Sequence, residues 1–190
     1  MKVLTVMVMA LCAVALLPSG ALADSILTIQ PIQIRSDDGS VAANAGRELF
    51  EAEGDKIWSQ AGIDLVFLPW TTVDDSSLLS FSSDAANPGS DWSIVFADPT
   101  SYGGSSSATV VNMWFAEDLD GSAGFYGQGW IDRAGVVIGW DAVASFNGGV
   151  GRLDTIAHEL GHNLNLRHSN LDAGRADNLI ASGGSRPVPG

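Results

Sequence analysis

The three histidines of this chain all fall within one short segment, HELGHNLNLRH, running from His158 to His168. No other feature constrains the fold as much. His158 and His162 are spaced to stack one turn apart on the same side of an α-helix. The flanking sequence supplies that helix, because Leu153, Ile156, Ala157, Leu160 and Leu164 recur at helical spacing and form an apolar face opposite the histidines. The predicted helix spans Arg152 to Leu164. To bring His168 alongside the other two, the chain must leave the helix and turn back at once. Such a reversal needs a residue that tolerates a left-handed backbone; glycine is best and asparagine next, and Asn165 is placed for it.

Two imidazoles one turn apart can reach a single metal ion. With His168 the set becomes three neutral nitrogens and a vacant fourth position, the pattern of catalytic zinc rather than of structural zinc, which has four protein ligands. Glu159 sits next to the first ligand and outside the ligand set, which favours hydrolysis over the chemistry of iron or copper. It is placed to accept a proton from a zinc-bound water attacking a polarised carbonyl, and to return that proton to the departing amine. A lone histidine is usually a surface or packing residue. An H-E-x-x-H match, however, arises by chance in roughly one in a few hundred chains of this length, and a third spaced histidine lowers that roughly fifty-fold. No histidine remains elsewhere in the chain.

The segment resembles the metzincin zinc metallopeptidases, whose pattern is H-E-x-x-H-x-x-G-x-x-H. His158, Glu159, His162 and His168 match, and Asn165 stands where the family has glycine. Metzincins also carry a methionine turn below the metal. The stretch Asp177–Ser182 is similar to it, with Ile180 in the methionine position as an apolar floor. The resemblance implies a zinc endopeptidase acting on protein or peptide substrates, with one catalytic ion held by His158, His162 and His168. It also implies an edge strand above the cleft that pairs with substrate backbone, for which Val110–Phe115 is the candidate. No cysteine is available for a pro-segment switch, and neither Tyr102 nor Tyr126 lies after His168 to act as an extra ligand. Metzincins usually add a C-terminal helix, and the sequence after Ser182 is expected to lack one. The alternatives are a catalytically impaired zinc-binding module and a hydrolase of a non-peptide amide.

The N-terminus reads as a cleavable export signal over residues 1–23. Lys2 is followed by an apolar run from Val3 to Leu17, a break at Pro18-Ser19-Gly20, and the small-x-small pattern Ala21-Leu22-Ala23. The expected location is extracellular or periplasmic, with residues 24–190 forming a single monomeric domain. The only cysteine, Cys12, lies inside that leader, so no disulfide is expected. With 22 acidic and 9 basic residues the net charge is −13, which repels phosphate backbones and anionic lipid, so nucleic acid and membrane are not expected partners. Within this acidity, Glu117–Gly121 (EDLDG) clusters enough oxygens to suggest calcium, although it lacks the full loop pattern and also suits a solvated turn.

Strands are expected at Ser25–Ile34, Ile63–Trp70, Trp92–Ala97, Ala108–Phe115 and Ala134–Trp140. Pro31 marks the first as an edge or bulged strand. The unbroken apolar run in the last suits a strand covered on both faces. Ser36–Ser40 is turn chemistry, Ala43–Ala61 a helix weakened by Gly54, and Thr71–Ser90 mostly loop. The Gly-rich connection Glu117–Trp130 includes Gly127-Gln128-Gly129-Trp130, a candidate border of the substrate cleft. This order predicts an α/β (α+β) domain: a twisted mixed sheet of about five strands, an active-site helix and a short C-terminal subdomain.

Overall fold

The computed structural model describes residues 25–43, 47–122, 124–131, 134–168 and 178–182. Residues 1–23, read above as an export signal, and residues 169–177 and 183–190 lie outside these residues. The described residues form a mixed α/β fold. Its main sheet is six-stranded and runs β2 (Ile63–Phe67), β1 (Ser25–Arg35), β5 (Val110–Ala116), β8 (Gly135–Gly139), β7 (Gly127–Gly129), with β3 (Thr71–Asp74) also pairing with β1. All of these pairings are parallel except β7 with β8, which is antiparallel.

Alternation along the strands feeds two separate cores. Val111, Met113 and Phe115 of β5, with Val136 and Ile138 of β8, pack under α1 (Arg47–Trp58) and α4 (Thr155–Asn163). The intervening residues Trp114, Ala116 and Val137 face the other way, against α2 (Asp91–Ala97) and the small β4–β6 pair (Ser80–Phe81, Asp118–Leu119). Every residue of β8 is buried, as its apolar run implied.

Four expectations are corrected. Trp92–Ala97 is helical, not a strand: Ser90 caps it by accepting from Ser93 N–H, and Trp92 and Val95, one turn apart, are its buried face. Thr71–Ser90 is more ordered than a loop, since it supplies β3, a 3₁₀ turn at Ser76–Leu78, and β4. Pro31 lies in an interior strand. Ile29 C=O accepts from Leu68 N–H at 2.8 Å and Pro31 C=O faces the same side, where β2 has ended and β3 begins only at the partner of Ile32. The missing N–H therefore falls in a gap between two partners. Finally, Val110–Phe115 is not an edge strand, because β5 is flanked by β1 and β8. A further helix, α3 (Trp140–Gly149), follows β8 and ends in left-handed turns at Asn147 and Gly148.

Two contacts seat α4. Trp58 Nε1–H donates to Ala157 C=O at 3.2 Å. Gly54 lets α1 settle close, since a Cβ there would lie 3.2 Å from Leu65 Cδ1 and 3.8 Å from Ile156 Cγ2. The glycine that weakens α1 locally is thus what packs it against the histidine helix. At the start of α4, Arg152 and Asp154 form a buried ion pair at 3.2 Å, and the guanidinium lies over the rings of Phe146 and Tyr126.

Candidate metal centre

Helix α4 carries His158 and His162 one turn apart, and the chain reversal brings in His168. Their ligand-capable atoms all lie within 4.8 Å of one another, so the three histidines could hold a metal ion. The rings form a near-regular triangle, with centroids 4.8, 4.9 and 5.3 Å apart. His158 is buried, His162 half-buried and His168 exposed, so the group opens toward solvent on one side.

The reversal is built as the sequence implied. Asn165 is left-handed, with φ 67°. Its N–H donates to His162 C=O at 2.9 Å, and Leu166 N–H reaches back to Gly161 C=O at 2.9 Å, the paired hydrogen bonds of a Schellman turn. That turn also aims Leu166 C=O at His162 Nδ1, 2.8 Å away. His158 Nδ1 lies 2.6 Å from Leu179 C=O. A carbonyl can only accept, so both Nδ1 atoms carry the hydrogen. In the neutral rings Nε2 then carries the lone pair. Fixing the tautomer through the far nitrogen is how proteins orient metal-binding histidines.

The donor set fits zinc. His158 Nε2 and His168 Nε2 are 3.2 Å apart. Zinc–nitrogen bonds of about 2.0–2.1 Å at tetrahedral angles would place two nitrogens roughly 3.3 Å apart. Ile180 is 2 % exposed and packs on α4, since a Cβ on Gly161 would fall 2.5 Å from its Cδ1. A side chain at 161 would have to push the Ile180 terminal methyl aside.

Glu159, also buried, points to a neighbouring face of α4. Its Oε2 accepts from Gly129 N–H at 2.7 Å, so the Gly-Gln-Gly stretch lies against this carboxylate. No motif singles out Asn163, whose amide binds the hairpin of β7 and β8. It accepts from Gly135 N–H at 2.7 Å and donates to Gly135 C=O at 2.8 Å and Trp130 C=O at 3.3 Å. Spacing offers the only clue: Asn163 sits one turn after Glu159, on the same stripe.

The acidic turn at Glu117–Gly121 is drawn into scaffold contacts. Asp118 accepts from Ser80 Oγ–H and Gly121 N–H, and Asp120 from Ser83 N–H and Oγ–H. Among the described residues the histidine trio is the one group with metal-ligand spacing. No protein-family model matches the chain, and a search of curated proteins gives no significant match.

Proposed function

We propose that this protein is an exported, monomeric zinc endopeptidase of metzincin type, with His158, His162 and His168 as ligands and Glu159 as the general base. The observation that carries the reading is the clustering of the three histidines' ligand-capable atoms within 4.8 Å, with two Nδ1–H groups held by backbone carbonyls and the buried Glu159 on the same helix. Further support comes from the left-handed Asn165 and from Ile180 under the helix, the two places where the sequence departs from the metzincin pattern. Asn165 takes a left-handed backbone that suits glycine, and Ile180 is an apolar side chain buried against α4.

Bound zinc supplies Lewis acidity, which polarises a carbonyl and makes water a nucleophile near neutral pH. The chain's own residues do the rest. Glu159 Oε2 accepts from Gly129 N–H, which orients the carboxylate; the carboxylate would take a proton from the attacking water and pass it to the leaving amine. Strand β7 takes the place expected of β5. Tyr126 C=O accepts from Gly139 N–H across the hairpin, so by alternation the backbone groups of Gly127 point to the open edge. An extended peptide pairing there would lie beside Glu159.

The test is incubation of the purified, zinc-loaded chain with an unstructured protein, with and without a chelator. Chelator-sensitive cleavage that disappears in Glu159→Gln while zinc is retained supports the proposal. Stoichiometric zinc with no cleavage of any peptide would overturn it in favour of a binding role, and turnover confined to non-peptide amides would reassign the substrate class.

A further inference from the structure

Beside the histidines, α4 carries a second stripe, Glu159 and Asn163, and both members grip the β7–β8 hairpin. Strand β7 is glycine at both positions facing the helix; a side chain at Gly127 would press on the Glu159 side chain, and Gly129 has no room for one. A Cβ on Gly127 would sit 2.9 Å from Glu159 Cγ, and one on Gly129 only 2.1 Å from Glu159 C=O. The strand therefore rests directly on the helix backbone. This close approach is what allows a main-chain amide, rather than a side chain, to reach the carboxylate.

Such contact needs something to hold it, because Gly-rich backbone gains little from its own burial. The hairpin is clamped at both ends of α4. At the start, the ring of Tyr126, the residue before β7, lies over the buried Arg152 guanidinium at 5.8 Å. At the far end, Asn163 makes its three hydrogen bonds to Trp130 and Gly135, the residues bracketing the turn from β7 to β8. Between the clamps, Gln128 points to the other side and donates to Ser83 C=O at 3.3 Å. Asn163 touches no histidine ring nitrogen among the described contacts, so its reach is toward the base and not toward the metal.

We infer that Asn163 is a positioning residue for Glu159. Through its three bonds to the β7–β8 hairpin it holds Gly129 N–H against the carboxylate and so sets where the base stands. This rests on the peptidase reading for its catalytic consequence, but the hydrogen-bond chain it describes is present in the protein without metal or substrate.

The experiment follows single amides by NMR hydrogen exchange in the metal-free protein, then zinc affinity and steady-state kinetics of the zinc-loaded form. In Asn163→Ala, exchange at Gly129 and Gly135 speeds up roughly tenfold or more. Zinc affinity stays within about threefold, unlike the tenfold or greater loss that follows removal of a ligand's own supporting partner. Cleavage loses roughly tenfold in kcat with KM within about twofold, the mark of an interaction that matters at the transition state. Should Asn163→Ala fail to fold, Glu159→Ala gives the second reading: Gly129 exchange speeds up while Gly135, still held by Asn163, does not change. Unchanged Gly129 exchange in either variant would overturn the inference, as would a fall in zinc affinity matching the fall in kcat. If the amides respond as described and no peptide is cleaved, the clamp stands and the peptidase proposal falls.

Discussion

Replacing Gly129 by alanine tests the contact between β7 and α4 in a form that needs neither metal nor activity. The new methyl carbon would lie 2.1 Å from Glu159 C=O, 2.9 Å from Glu159 carbonyl carbon and 3.2 Å from Asn163 Nδ2. The two nearest atoms are helix backbone in the middle of α4 and cannot swing aside. Relief to ordinary contact requires β7 to lift by roughly 1 Å, an overpacking cost of about 1–3 kcal/mol. Lifting also stretches the 2.7 Å bond from Gly129 N–H to Glu159, and a hydrogen bond to a charged group contributes about 1.5–3 kcal/mol. Against this, alanine restricts the unfolded chain and returns about 0.4–1 kcal/mol. The net expectation is a loss of about 2–5 kcal/mol, a large share of the 5–15 kcal/mol that stabilises a typical domain. Urea unfolding of the metal-free protein measures it, with Gly89→Ala as the control. A Cβ at Gly89 would meet only Asn87 Oδ1 at 3.5 Å, so that variant should stay within about 1 kcal/mol of the parent. Equal stabilities for Gly129→Ala and Gly89→Ala would refute the close packing of β7 on the helix.

Other consequences follow from single residues. Asn165→Gly should hold or raise stability by up to about 1 kcal/mol, whereas Asn165→Val should cost about 2 kcal/mol or more, because a β-branched residue is strained at φ 67°; thermal unfolding reads both. Ile180→Ala should cost about 2–4 kcal/mol in denaturant unfolding by opening a cavity under Gly161. Hydrogen bonds from Ser40 and Ser36 lower the Asp38 carboxyl from 3.8 to about 2. A lowered pKa stabilises the fold at pH above the unfolded value, so the support Asp38 gives the Ser36–Ser40 turn should be intact above about pH 4 and lost as pH falls through about 2. NMR titration of that turn, compared with Asp38→Asn, checks the sign.

The candidate site was more legible than the fold around it. Spacing alone put His158 and His162 on one face, and the need for a reversal singled out Asn165, because these are local constraints that follow from helix geometry and backbone sterics. The expected apolar role of Ile180 also matches its burial under the helix. Tertiary relationships were harder to read. A short, largely apolar stretch such as Trp92–Ala97 suits a strand or a short helix equally, and the Ser90 cap that favours the helix shows only in the folded chain. Pro31 suggested an edge because the gap between β2 and β3 exists only once both strands are in place. Likewise, the interior position of β5 depends on β8 returning beside it. Gly127 and Gly129 read only as part of a Gly-rich connection that could border the cleft, and Asn163 carries no local signal; their contacts emerge only when a strand is laid along α4.

The central claim is that three histidines, two of them set by backbone carbonyls to present Nε2, form one metal site. Calorimetric titration of the metal-free protein with zinc, matched by cobalt(II) absorption, tests it most directly. The expected result is one ion per chain, a four-coordinate cobalt spectrum, and loss of both in His162→Ala. Zinc binding that is absent in the parent chain, or unchanged in His162→Ala, would contradict it.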